Sequence, residues 1–306
     1  MTDALTDILR SVRMEGSVFS RAALTAPFGV ESGVMPTGIF HAVVRGHPWA
    51  RLADGGDLIE LEPGDIVMFP FGDNHLITDA PDSPHRPIGL LTSVDDRGMG
   101  HLVVDGGGAR TSLICGTVAF DSSSAHPVMS MLPPMIRVRD LEGQISGVVE
   151  TLVALIAAEV DSPSPGTEIV VARLTDVLIV HVLRAYIDQL EQGAGGWLGA
   201  LKDPPIRDAI GLIHRNPAYG WTAEELARAA GLSRSAFFSR FRRVVGETPV
   251  EYLTRWRVHL ATGLMRDEGY SVAAAGRQVG YATEAAFSNA FLRVMSVRPG
   301  AYRRAA

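Results

Sequence analysis

The chain has 306 residues, 46% of them hydrophobic and 20% charged, with a formal net charge of −6. Single cores rarely grow beyond ~250–300 residues, so this length accommodates two domains. One cysteine, Cys115, excludes an internal disulfide framework, and the overall acidity argues by itself against a nucleic-acid partner.

The N-terminus, MTDALTDILRSVRMEG, lacks the basic start and apolar core of a signal peptide. From roughly residue 15 to 120 short β-branched or aromatic runs follow one another: IFHAVV, DIVMFP, IGLLTSV, HLVVDG and TSLICGTVAF, set off by glycine, proline and aspartate. This pattern predicts a sandwich or barrel of many short strands. DSSSAHPVMSMLPP (121–134) reads as a connector. From Leu141 to Gln192 two helices are predicted, ISGVVETLVALIAAEV and TEIVVARLTDVLIVHVLRAYIDQL, separated by DSPSPG. Arg173, Asp176, His181 and Arg184 interrupt the second helix, and a membrane span needs ~20 mostly uncharged residues. It is nevertheless apolar around most of its circumference, so either the strand domain or a second copy of the chain covers it. QGAGG (192–196) reads as a hinge, and after Pro204 only short helices are expected. The chain divides into 1–136, 137–196 and 203–306, an α+β multidomain protein.

Charge separates along the chain. From Asp203 to the C-terminus there are 15 basic and 9 acidic residues, while the preceding 202 residues carry 13 and 25. A basic domain joined to an acidic one is the footprint of a nucleic-acid contact. Within that basic region, WTAEELARAAGLSRSAFFSRFRRVVGETP has a capping box at Thr222 and Glu225. A turn follows at Gly231, and a second helix capped by Ser233 has Phe237 and Phe241 four apart on one face. Arg234, Ser235, Ser239, Arg242 and Arg243 occupy the other face. The pattern returns in SVAAAGRQVGYATEAAFSNAFLRVMSVRPGAYRR, with Ser271, Gly280, Thr283, Phe287 and Phe291 in corresponding places. Two helix-turn-helix units in register are expected, separated by the helix VEYLTRWRVHLATGLMRDEG, which is long enough to set them about one turn of duplex apart.

LSRSAFFSRFRRVVG followed by TPVEYLTRWRVHLA, then VGYATEAAFSNAF and RPGAYRR, resembles the DNA-binding domain of the AraC/XylS family of transcription regulators. The resemblance covers about the last hundred residues. It implies that both second helices enter the major groove. Arg234, Ser235 and Ser239 would then face bases in the first unit, and Glu284, Ala285, Ser288 and Asn289 in the second. Arg242, Arg243, Arg293 and Arg298 would meet phosphates, which set register without reading sequence. Two residues depart from the pattern, Gly276 in place of alanine and Ser296 where the first unit has Gly246, and both are expected to soften the second unit.

The stretch GDIVMFPFGDNHLITD fits the second motif of the cupin family, with Gly64, Pro70, Gly72 and His75 in place and Asp79 for the final asparagine. The first cupin motif, laid on Gly33, keeps only His41, with Ile39 and Arg45 where a histidine and a glutamate would stand. The N-terminal domain therefore resembles a cupin jelly-roll barrel, of the kind placed as a sensor ahead of AraC-type units. His41 and His75 with Cys115 would form a three-ligand set for zinc or another soft metal. The alternative is a pocket for a small-molecule effector, with His41, Arg45, Trp49 and His75 as contacts. No nucleophile motif or phosphate loop is present to support an enzyme. The expected protein is a cytoplasmic, dimeric, sequence-specific regulator of transcription acting on double-stranded DNA. The family resemblance implies activation and RNA polymerase as a partner. A metal-dependent cupin enzyme, and a constitutive DNA-binding dimer without effector, are the rival readings.

Overall fold

The computed structural model describes residue 6 and residues 14–94, 100–120, 132–139, 146–162, 164–190 and 197–305. Most of the expected connector at 121–134 and all of the expected hinge at 192–196 lie outside the described residues.

Among the described residues, twelve strands form two open sheets rather than one closed barrel. They are β1 (Met14–Thr25), β2 (Gly29–Glu31), β3 (Gly38–Arg45), β4 (Trp49–Leu52), β5 (Ile59–Glu60), β6 (Ile66–Phe69), β7 (His75–Thr78), β8 (Arg86–Pro87), β9 (Thr92–Val94), β10 (Gly100–Asp105), β11 (Arg110–Phe120) and β12 (Ile136–Val138). One sheet has the order β12-β6-β3-β11-β1-β10-β9 and the other β5-β4-β7-β2-β8. Alternation along the strands sends Leu24, Val43, Val67, Leu102, Leu113 and Cys115 of the first sheet inward, against Val30, Ala50 and Ile77 of the second. The segment IGLLTSV is only partly a strand: Ile88–Leu90 is a 3-10 turn after Pro87, whose ring fixes φ, and β9 is confined to Thr92–Val94.

The turn of the cupin-like motif is built as its residues dictate. Asp65 accepts from the Glu62 amide at 3.1 Å and from Arg137 of β12 at 2.6 Å, tying the turn to the sheet edge. Gly72 has φ +69, and a Cβ there would lie 2.3 Å from the Met35 carbonyl oxygen, so no other residue fits. Asp79 does the work of the missing asparagine, accepting from the Phe28 amide at 2.8 Å.

Helices α1 (Ser146–Asp161) and α2 (Thr167–Gln189) follow, and they belong to the same compact unit as the sheets. The α2 helix packs on α1, β1 and β12, burying Val171, Leu178, Val182 and Leu183. The apolar α2 is therefore covered largely within its own chain, and the described residues up to Gln189 group with the sheets. Ile169, Val170 and Val177 of α2 remain exposed, as do Val148 and Leu155 of α1.

The described residues from Leu190 onward form a second unit. Its helices are α3 (Trp197–Ala200), α4 (Pro204–Arg215), α5 (Ala223–Ala229), α6 (Arg234–Val245), α7 (Pro249–Arg266), α8 (Val272–Gln278), α9 (Glu284–Met295) and α10 (Pro299–Ala305). The Thr222–Glu225 capping box forms on α5, and Ser233, Ser271 and Thr283 cap α6, α8 and α9. The internal repeat extends into the packing. Phe237 packs tilted on Phe241, which meets Tyr252 edge to face in the first half, and Phe287, Phe291 and Tyr302 follow one another edge to face in the second. Pro249 and Pro299 open the helix after each unit at its first turn, where the missing N–H costs nothing.

The two departures in the second unit have different outcomes. A Cβ at Gly276 would sit 2.8 Å from the Phe287 ring, so the glycine lets that ring lie directly on α8 and tightens the unit. Ser296 takes the left-handed C-cap conformation at φ 56 that Gly246 takes at φ 88 in the first unit. A side chain in that conformation costs roughly 1 kcal/mol. Replacing Ser296→Gly should stabilise the C-terminal unit by about that amount in urea denaturation. An unaltered or lowered midpoint would refute the strain.

Candidate functional site

Among the described residues, a chain of polar side chains runs through the interior of the sandwich. The register pairs His41 of β3 directly with Cys115 of β11, and His41 Nδ1 lies 3.0 Å from Cys115 Sγ. On its other side His41 Nε2 meets Nε2 of His75, at the start of β7, across 2.8 Å. Since β3 and β7 belong to different sheets, this bond spans the sandwich. The His75 Nδ1 atom is 2.8 Å from the Asp73 carbonyl and 3.0 Å from Ser32 Oγ, and the His75 ring stacks on Phe69 with centroids 3.7 Å apart.

These contacts determine where the protons are. The Asp73 carbonyl only accepts, so His75 Nδ1 donates and its Nε2 is a lone pair. His41 Nε2 must then donate to His75, which leaves His41 Nδ1 to accept from the Cys115 thiol. Every member is neutral and satisfied. Burial pushes the groups the same way: His75 is lowered to about 4, His41 well below its ordinary value, and the Cys115 thiol raised to about 12.

The expected metal site is not formed. A single ion takes one nitrogen from each imidazole, and the two nitrogens of His41 diverge, one toward Cys115 and the other toward His75. An ion at either contact would have two ligands and lack a third, against the three that a catalytic zinc retains. No group of three or more histidine, cysteine or acidic side chains is arranged to hold a metal among the described residues. His41, His75 and Cys115 do line one small cavity of about 20 Å³, with Ser32 and the aliphatic side chains of Leu24, Val30, Ile77, Ile88, Leu102 and Leu113. This is room for about one water.

Arg45 and Trp49, expected as effector contacts, do not reach this cavity. A bulge in β3 opposite Ser112 and Leu113 breaks the alternation after Val43, which leaves Arg45 exposed. Trp49 is half-buried at the start of β4, paired with Glu60 and Thr78. The sequence reading missed Ser32 and the Asp73 carbonyl, since the first is a common residue type and the second is a backbone group.

In the C-terminal unit, Arg234, Ser235, Ser239, Arg242 and Arg243 all lie exposed on α6. On α9, Glu284, Ala285, Asn289 and Arg293 are exposed and Ser288 is half-buried. Arg298 is exposed just before α10. Arg240 is occupied elsewhere, paired with Asp203 at 2.7 Å. Arg242 and Arg293, one from each second helix, both act on the Glu251 carboxylate at the start of α7, which its backbone cap from Thr248 holds below the ordinary range.

The two units are locked together by a junction the sequence reading did not identify. Arg257 of α7 donates to the carbonyls of Pro217 at 2.7 Å and Tyr219 at 2.9 Å, in the loop between α4 and α5. Its guanidinium also lies over the Tyr281 ring, 5.5 Å from the centroid, in the turn of the second unit. Gly280 in that turn has φ +95, and its α-carbon faces the Ala218 backbone so closely that a Cβ would be 2.5 Å from the carbonyl oxygen.

Comparison with known proteins gives the following. A family model described as "Cupin" matches residues 3–188, and one described as "Helix-turn-helix domain" matches residues 226–305. An AraC-like transcription regulator of Streptomyces antibioticus is 32% identical over 308 residues, covering 99% of this chain and 98% of that one. The regulator AlkR of Acinetobacter baylyi is 27% identical over 306 residues, covering 99% of each chain. The transcriptional activator RclR of Escherichia coli is 25% identical over 304 residues, covering 98% and 97%.

Two measurements check this geometry. The folded state binds fewer protons at His75 than the unfolded chain between pH 6.5 and about 4. The stability this gives is complete above pH 6.5 and drains as pH falls, by roughly 1.4 kcal/mol per pH unit for a single such histidine. Replacing His75→Gln keeps an acceptor for His41, so the variant should lose that part of the slope of unfolding free energy against pH; an unchanged slope would refute the neutral pair. Replacing Gly280→Ala should destabilise the C-terminal unit by about 2 kcal/mol or more, because the new Cβ meets backbone in a left-handed turn. A neutral result in thermal denaturation would show that the junction is loose.

Proposed function

This chain belongs to the AraC-like transcription regulators, with a cupin domain ahead of its helix-turn-helix units, and on that premise we propose that it binds a specific operator with both units and that a small molecule entering the sandwich alters that binding. The observation that carries the reading is the pair of capped, exposed and polar second helices, α6 and α9, in two units that Arg257 joins. Helix α6 presents Arg234, Ser235 and Ser239 to base edges, and α9 presents Glu284, Ala285, Ser288 and Asn289. Arg242, Arg243 and Arg293 hold the phosphates on either side.

Sensing, rather than catalysis, suits the interior of the sandwich. The chain from Cys115 to Asp73 offers no group poised to take or give a proton to a substrate, because each is neutral and already engaged. What it offers is a strut that a guest must displace. A small effector with an apolar body and a polar group that bonds the freed ring nitrogens would lodge among Leu24, Val30, Ile77, Leu102 and Leu113 by parting His41 from His75. Parting the sheets would shift β1 and β12, on which α2 rests. An effector changes DNA affinity only as far as it binds the two states differently. The exposed apolar residues Val148, Leu155, Ile169, Val170 and Val177 on α1 and α2 support pairing with a second copy. Action in the cytoplasm, with activation through RNA polymerase, completes the reading. No described helix is long and apolar enough to cross a membrane.

Selection of randomised duplexes with the full-length protein should enrich a site with two contacted segments about one helical turn apart. Affinity for it should fall steeply with salt, and Arg242→Ala should lower the salt slope by about one without changing the preferred sequence. Replacing Leu113→Phe, which fills the cavity, should leave operator binding intact and abolish its response to any effector found by screening. Absence of an enriched sequence would sink the DNA-binding reading, and a Leu113→Phe protein that responds like the wild type would sink the effector site.

A further inference from the structure

Helix α6 contains two consecutive phenylalanines that cannot share a fate. Phe237 is fully buried and stacks with Phe241, and together with Val244 and Val245 these side chains complete the inner face of the helix. Phe238 points away from that core with 39% of its surface exposed. Its helical neighbours at three and four residues are Arg234, Ser235, Arg242 and Phe241, so all but the last belong to the outer face. An apolar ring therefore stands within the basic, polar surface that faces DNA. The corresponding position in the second unit, Ser288, carries a hydroxyl instead.

A phenyl ring has neither donor nor acceptor, so it cannot read the hydrogen-bonding edge of any base. The one apolar feature that the major groove presents is the 5-methyl group of thymine. The charges around Phe238 decide the class of partner: Arg234 and Arg242 flank it on the same face, suit a nucleic-acid surface and would be stranded against an apolar protein surface.

We propose that Phe238 is a specificity-determining residue that selects thymine in the half-site of the first unit by contact with its methyl group. The proposal rests on the reading that α6 enters the major groove. It assigns the two units different chemistry. The first combines a methyl contact at Phe238 with donors at Arg234, and the second reads by hydrogen bonds from Ser288 and Asn289.

The test uses the operator enriched by the full-length wild-type protein. Each thymine of the first half-site is replaced in turn by deoxyuridine, which lacks only the methyl group, and binding is measured for wild type, Phe238→Ala and Phe238→Gln. One replacement should weaken wild-type binding about fourfold, the worth of returning a single methyl to water. The same replacement should leave both variants unaffected, and their affinity for the unmodified operator should fall to the wild-type value on the modified one or below. Because Phe238 is outside the core, both variants should keep the wild-type melting temperature. Replacing Arg242→Ala should weaken binding equally on every duplex. If each thymine replacement acts alike on wild type and variants, or acts on neither, the methyl contact is overturned while the DNA-binding reading stands. If wild type enriches no operator, the DNA-binding reading itself fails, and the proposal with it.

Discussion

The bond between His41 and His75 sets the terms for the N-terminal half. Apolar packing between two sheets is non-directional and tolerates sliding, whereas a hydrogen bond of 2.8 Å between two ring nitrogens does not. It constrains β3 against β7, and through the Cys115 thiol it constrains β11 as well. A buried polar group without a partner costs about 1–3 kcal/mol, so the chain is stable only while all its members remain engaged. The same fact makes it a point of sensitivity: a guest that supplies no replacement for these bonds is penalised, and one that does is selected.

In the C-terminal half Arg257 has the comparable place. It joins a loop of the first helix-turn-helix unit to the turn of the second, where Gly280 brings two backbones into contact. Phe287 on Gly276 then seats the second recognition helix on its own unit. Both glycines act by absence of a side chain, one for a backbone and the other for a ring.

Much of this was legible in the sequence, and the limits of legibility have physical causes. Spacing found the tandem units because caps, turn glycines and phenylalanines four apart are local signals. The turn of the cupin-like motif was equally local, and Gly72 behaves as its position implies. What lay across the fold was less accessible. His41, His75 and Cys115 come together inside the sandwich, but which nitrogen faces which partner depends on strand register, which no local pattern records. Arg45 was misplaced by one bulge, a feature with no sequence mark. Gly276 looked like a weakness because its compensation, the Phe287 ring, comes from another helix. Phe238 was legible in principle, since two adjacent phenylalanines on a helix cannot both face one core.

The fixed junction between the two DNA-binding units has a consequence for the other molecule. A pair of reading heads joined by backbone contact and an arginine clamp has little freedom to adjust its spacing. Any mismatch between that spacing and the pitch of relaxed B-form duplex falls on the nucleic acid, which must bend or change twist between the two segments. The cost depends on which base steps lie there, being least for flexible pyrimidine–purine steps. On the proposed reading, in which both units engage one duplex, bases that no side chain touches would enter the recognition through the stiffness of the intervening DNA.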